Sequence, residues 1–393
     1  MRKMLSSFIL VLCYGFFVAE SSAEVMLVEK KQFSINNFKT FNGSTIKKVN
    51  VGWESYGTLN QDKSNAILIT HFFSGNSHAA GKYHKDDVKA GYWDAIIGPG
   101  KAIDTNKYFV LSVDTLVNAG VHDPNVITTG PASINPDTGK PYGLTFPVVT
   151  IRDFVNVQKA LVDSLGIHKL HAVVGASMGS LQAIDWASAY PDRVPRMVSV
   201  IGMGQSDAWT ALALNQWALP ITLDPAWNKG DYYDSKAPLD GLTASMMVIT
   251  QQALHPDYIN LVNPQHSPLE EAPMQNILAQ HKVVNWLESA ARKRAEIMDA
   301  NHVLYLIRAC QLFVAGHEGD LKTGLQKMNA KSLFLPATGD LLLMPYLAKE
   351  THEQLVKLGK SSEYLEIKAN QGHLDGVFSV QQHAEKLRAF LQD

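Results

Sequence analysis

The stretch from residue 171 to 190 constrains this chain more than any other. A short apolar run, His171-Ala172-Val173-Val174, passes without a break into Gly175-Ala176-Ser177-Met178-Gly179. A helical pattern follows through Gln182, Ala183, Trp186 and Ala187 and stops before Pro191. The apolar run has the length and composition of a buried strand. A strand that turns directly into a helix forces the corner residue into a strained conformation, and only small neighbours fit around it. Gly175 and Gly179 supply that room. The corner residue is Ser177, where free N–H groups and the helix dipole favour negative charge.

The same alternation recurs along the chain. Thr150 with Asp153 has the form of a helix N-cap, and Ile151, Phe154, Val155, Leu161, Val162 and Leu165 fall at helical spacing before Gly166 stops the turn. Val51-Gly52-Trp53-Glu54-Ser55-Tyr56 is strand-like. Ala66-Ile67-Leu68-Ile69-Thr70-His71, leading into Ser74-Gly75-Asn76, and Tyr108-Phe109-Val110-Leu111-Ser112-Val113-Asp114 read as buried strands. So do Ser332-Leu333-Phe334-Leu335 and Tyr364-Leu365-Glu366-Ile367, with a closing helix over about 381–391. Strands alternating with helices predict a mostly parallel sheet flanked by helices. Residues 206–325 lack a strong strand run. They are expected to form a helical cap inserted between core segments 24–205 and 326–393.

A serine hydroxyl is a poor nucleophile until a base takes its proton. On a strand–turn–helix corner of this kind the partners follow in the order serine, acid, histidine. Asp340 ends Pro336-Ala337-Thr338-Gly339-Asp340, just past one strand, and His373 lies in Gln371-Gly372-His373, past the next. The expected roles are Ser177 as nucleophile, His373 as general base and Asp340 as the group that orients the histidine. The Met178 amide, and that of Phe73 in the loop after an early strand, are the expected oxyanion donors. The fold expected is an α/β-hydrolase, and the chemistry acyl transfer through Ser177.

Composition closes other routes. With 35 basic and 37 acidic residues the net charge is -2, and there is no basic excess to attract nucleic acid. No phosphate- or dinucleotide-binding loop is present. His71, His78 and His84, with Asp86 and Asp87, match no metal-ligand spacing and read as loop residues near the rim of the site, so neither cofactor nor metal is expected. At the N-terminus, Arg2 and Lys3 precede an apolar run from Phe8 to Ala19 and then Ser21-Ser22-Ala23. That is the pattern of a secretory signal peptide over residues 1–23. The run is well short of the roughly 20 residues of a spanning helix, so export to the periplasm or beyond, without a stable membrane anchor, is expected. Leu12 ahead of Cys13 does not suit lipid attachment. Cys310, in an apolar helical run, reads as core.

From about residue 50 to its end the chain resembles the homoserine O-acetyltransferase family. Trp53-Glu54-Ser55-Tyr56-Gly57-Thr58-Leu59-Asn60 is similar to its opening strand, and His71-Phe72-Phe73-Ser74-Gly75-Asn76-Ser77-His78 to its oxyanion loop. Thr128-Thr129-Gly130-Pro131, Asp224-Pro225-Ala226-Trp227 and Asp299-Ala300-Asn301 follow in order. The resemblance implies a ping-pong reaction in which a small acyl ester or thioester acylates Ser177 and an acceptor hydroxyl then takes the acyl group. It also implies a homodimer built through the cap. Two departures matter. The family's arginine for an amino acid carboxylate aligns with Ala218, and its acidic residue after the histidine aligns with Leu374, with Asp375 one later. Losing a guanidinium–carboxylate contact weakens a zwitterionic substrate. The expectation is therefore an exported esterase, with O-acetyl transfer to homoserine or another hydroxyl compound as the alternative. Trp209, Trp217, Trp227 and Met246-Met247 would suit either an apolar pocket or cap packing.

Overall fold

The computed structural model describes residues 25–263 and 274–392; the segment read as a signal peptide lies outside them. An eight-stranded sheet organises the molecule. Its strands are β1 (Lys31–Lys39), β2 (Thr45–Tyr56), β3 (Ala66–Thr70), β4 (Phe109–Val113), β5 (Ala172–Ala176), β6 (Arg196–Val200), β7 (Lys331–Leu335) and β8 (Ser362–Tyr364). They lie in the order β1-β2-β4-β3-β5-β6-β7-β8. β1 and β2 pair antiparallel, as do β2 and β4, and every other pairing is parallel. Parallel strands put all their C-terminal ends on one edge of the sheet, where ligands of such folds bind.

The central strands β3 and β5 are buried at every position because both faces are covered. In β5, Val173 joins the core on one face, while Ala172, Val174 and Ala176 join that on the other. Helices α1 (Ile151–Ser164) and α2 (Met178–Ala189) cover the first face. Asp153 Oδ2 accepts the Thr150 amide at 2.7 Å and closes a capping box on α1, and Gly166 leaves that helix at φ +72°. Arg152 grips Asp185 through Nε at 2.7 Å and Nη2 at 3.1 Å, tying α1 to α2.

Between β6 and β7 the described chain is helical: α3 (Ala208–Leu223), α4 (Leu239–Ala253), α5 (Pro256–Val262), α6 (Lys282–Ala295), α7 (Ala300–Gln311) and α8 (Leu321–Gln326). α4 packs against both α3 and α6, and this group stands over the C-terminal edge of the sheet near Ser177. After β7 come α9 (Pro345–Lys357) and, at the end, α10 (Ala384–Gln392).

One strand differs from the sequence reading. β8 covers Ser362–Tyr364, not 364–367. Chain pairing continues beyond it, from Leu365 N–H to Phe334 O and from Ile367 N–H to Pro336 O. Pro336 has no N–H to return, so the regular ladder breaks opposite it. The closing helix begins at Ala384, after a tighter turn over Val380–His383.

Candidate active site

Ser177 sits at φ +55°, ψ −122°, a conformation a non-glycine residue adopts only when its surroundings enforce it. Its neighbours explain the motif. A Cβ on Gly175 would lie 2.2 Å from Gly179 O, and one on Gly179 would lie 2.0 Å from Thr70 O. The first turn of α2 is thus pressed against the end of β3, and any larger residue would push the two apart.

Two loops from the same edge of the sheet complete the arrangement. His373 Nε2 lies 2.8 Å from Ser177 Oγ, and its Nδ1 lies 2.7 Å from Asp340 Oδ2. All three side chains are buried. Asp340 Oδ1 accepts the amides of Leu342 and Leu343 at 2.8 and 2.9 Å, which fixes the carboxylate and supports its charge. His373 rides on a helical turn, Gly372–Leu374. Asp375 Oδ2 ties that turn down by accepting the amides of Gln371 and Gly372 at 3.0 and 3.1 Å, and its Oδ1 accepts the Ser379 hydroxyl at 2.9 Å. Asp375 is therefore a buried loop fastener, while Leu374 faces the site.

Phe73 and Met178 both line the space at Ser177. Met178 opens α2, so its amide has no acceptor within the helix. The Phe73 amide donates to no protein group among the described residues. The Phe73 loop is held from below. His71 Nδ1 donates to Phe72 O at 2.8 Å, its Nε2 accepts the Thr115 amide at 3.1 Å, and Asn118 Nδ2 donates to Gly75 O at 3.0 Å. These contacts require the neutral imidazole, and burial pulls its pKa down to about 4.

His71 is thus fully buried beneath the loop, not at its rim as the sequence suggested. His78 pairs with Glu54 at 3.0 Å and stacks on Tyr83. Burial works to raise the Glu54 pKa, but the His78 hydrogen bond and the charge of Lys30 at 2.8 Å outweigh it and hold the carboxyl at about 2. The His84 amide donates to Asp87. Among the described residues no three His, Cys, Asp or Glu side chains are grouped to hold a metal.

Two spaces meet at Ser177. One, of about 30 Å³, is lined by Met178 and Leu181 of α2, Met203, Leu214 of α3 and Cys310 of α7. Burial raises the Cys310 thiol to about 12, so it acts there as an apolar wall. The other, of about 190 Å³, opens past His373 and Leu374 toward Trp217, Thr250 and Arg294 of the helical region. The sequence reading missed Arg294 and Thr250. The apolar residues it singled out separate: Trp217 lines both spaces, Met246 is core, Trp227 bonds Asn301, and Trp209 is exposed.

This fold and site define the class, a hydrolase or acyltransferase of α/β-hydrolase fold. The model for that fold matches residues 129–256. The chain is 40% identical over 342 residues to a homoserine O-acetyltransferase of Methanococcoides burtonii, covering 86% of this chain and 68% of the relative. A solved homoserine O-acetyltransferase from Bacillus anthracis superposes with a TM-score of 0.90 at 38% identity, covering 94% of this chain and 99% of that one. The solved structure of esterase E22 superposes at 0.91 with 60% identity, covering 93% and 100%. The chain belongs to the homoserine O-acetyltransferase family.

Proposed function

We propose that this protein is an esterase that uses Ser177, His373 and Asp340 to move a short acyl group from an ester to water. The carrying observation is the make-up of the larger space, whose lining among the described residues includes Arg294 but no carboxylate. An acceptor bearing an ammonium group would meet a cation there and, among the described lining residues, no carboxylate to bind its charge.

In the reaction Ser177 Oγ attacks the ester carbonyl as its proton passes to His373. The amides of Phe73 and Met178 take up the oxyanion. The ester C–O bond then breaks, and the alcohol leaves with the proton from His373. Water, deprotonated by His373, attacks the acyl carbon, frees the carboxylic acid and restores Ser177. The smaller space, apolar and walled by Met178, Leu181 and Leu214, is the side proposed to receive a short acyl group such as acetyl. Acid release from p-nitrophenyl acetate tests the reading, which fails if Ser177→Ala retains full turnover.

The curated relatives favour a second reading, in which a hydroxyl acceptor takes the acetyl group. It requires CoA release from acetyl-CoA that rises with added homoserine or another alcohol. Release at the rate of water attack alone, with every acceptor, excludes it. Export through residues 1–23 would separate the enzyme from cytoplasmic acyl-CoA and supports hydrolysis; the mass of the mature chain tests that cleavage. A second copy is proposed to cover the exposed stripe of α3 formed by Trp209, Leu212, Leu219 and Leu223. Light scattering distinguishes a dimer from a monomer.

A further inference from the structure

Among the described residues, Arg294 is the one arginine or lysine lining the larger space. It sits in the last turn of α6, beside two other basic residues that have ordinary surroundings. Arg292 reaches Asp240 at 3.0 Å, and Lys293 is exposed to water. Arg294 turns the opposite way, on the helix face of the buried Ala291 and Ala295. Among the described residues its guanidinium makes one hydrogen bond, from Nη1 to Thr250 Oγ1 at 2.8 Å, and no ion pair. The Thr250 hydroxyl is itself committed to Met246 O. Burial lowers the Arg294 pKa and no nearby carboxylate offsets this, yet a guanidinium stays charged under such conditions.

A partly buried charge without a counter-ion among the described residues is costly, and the guanidinium keeps most of its five donors free of described partners here. Those donors face a space whose other end is Ser177. We infer that Arg294 is a carboxylate-binding residue, and that the favoured substrates are short-acyl esters of hydroxy acids, with the acyl group beside Met178 and Leu181 and the acid's carboxylate on Arg294. Ala218, the position at which the resemblance puts the family's arginine, lies on α3 and does not line this space. The Arg294 site accepts the anion without the amine, since no carboxylate among the described residues lines the space to face an ammonium. The inference rests on the esterase reading and narrows its substrate.

The test compares acetate release from 2-acetoxyacetate, 3-acetoxypropionate and 4-acetoxybutyrate with release from their methyl esters. For at least one chain length the wild-type enzyme should prefer the free acid by about 10-fold or more in kcat/KM, mainly through KM. In Arg294→Met that ratio should collapse to about one or below, and Arg294→Lys should recover part of it. O-Acetylhomoserine should be a poorer substrate than 4-acetoxybutyrate. Equal rates on acid and methyl ester in the wild type overturn the inference and leave the esterase reading standing. No acetate release from any ester overturns both. Should Arg294→Met not fold, inhibition of wild-type p-nitrophenyl acetate hydrolysis decides. 4-Hydroxybutyrate should inhibit and 1,4-butanediol should not; equal weakness of the two counts against Arg294.

Discussion

The two spaces that meet at Ser177 are built on opposite plans. The one between α2, α3 and α7 is small, apolar and closed by core residues, Leu181, Met203 and Cys310 among them. The side toward α4 and α6 is larger and mixes Trp217, Ile249 and Leu374 with a guanidinium that has no counter-ion among the described residues. The first admits a group by size alone. The second can select by charge, because a desolvated cation is strongly discriminating. The difference suggests that this enzyme is strict about the acyl group and that substrate identity is otherwise decided on the helical side.

Breaking the nucleophile should erase the comparison altogether. Ser177→Ala is expected to lower kcat on p-nitrophenyl acetate by about 10⁵-fold or more and to abolish fluorophosphonate labelling. Asp340→Asn should cost about 10⁴-fold, because the amide can donate to His373 Nδ1 and so stabilise the wrong tautomer. Retained turnover in either variant would undo the assignment.

Acyl length probes the small side. Going from p-nitrophenyl acetate to the hexanoate should reduce kcat/KM by about 100-fold, since the added methylenes overpack a rigid wall. Leu214→Ala should narrow that gap. A flat chain-length profile would show that the acyl group sits elsewhere.

The support beneath the oxyanion loop is sensitive to acid. His71 is neutral in the folded protein, its pKa pulled by burial to about 4 from an ordinary 6.5. A depressed histidine contributes stability that is complete above the unfolded value and is lost as pH falls toward the folded one. Wild-type stability should therefore decline by about 3 kcal/mol between pH 6.5 and 4. The advantage of wild type over His71→Gln in urea unfolding should shrink over the same window. Glu54 acts lower, its contribution lost as pH falls from 4.5 toward 2. A constant difference between wild type and variant would exclude the role given to His71.

The smallest effect sharpens the larger side. Leu374→Asp adds a carboxylate to a wall that has none among the described residues. Hydrolysis of O-acetylhomoserine relative to 4-acetoxybutyrate should rise by about 10-fold. No change would mean that Leu374 does not face the acyl acceptor.

Much of the catalytic end was legible in the residues. Gly175, Ser177 and Gly179 are dictated by a local clash between α2 and β3, so they leave a local pattern. Asp340 and His373 could be found because parallel strands deliver their following loops to one edge, in a fixed order. The end of β8 was misread because the missing N–H belongs to Pro336 on the neighbouring strand. His71 was taken for a rim residue because sequence does not show that the Thr115 and Asn118 segment folds over it.

Sequence by itself determined the alternating strands and helices, the strained serine corner and the order of its partners, because each depends on short-range sterics and periodicity. Tertiary structure alone decided the helical side of the site. In sequence Arg294 is one of three basic residues at a helix end, where a solvated cluster is the ordinary reading. The packing of α6 against α4 turns that one side chain inward, and the large space that it faces exists only once the helices close over Ser177.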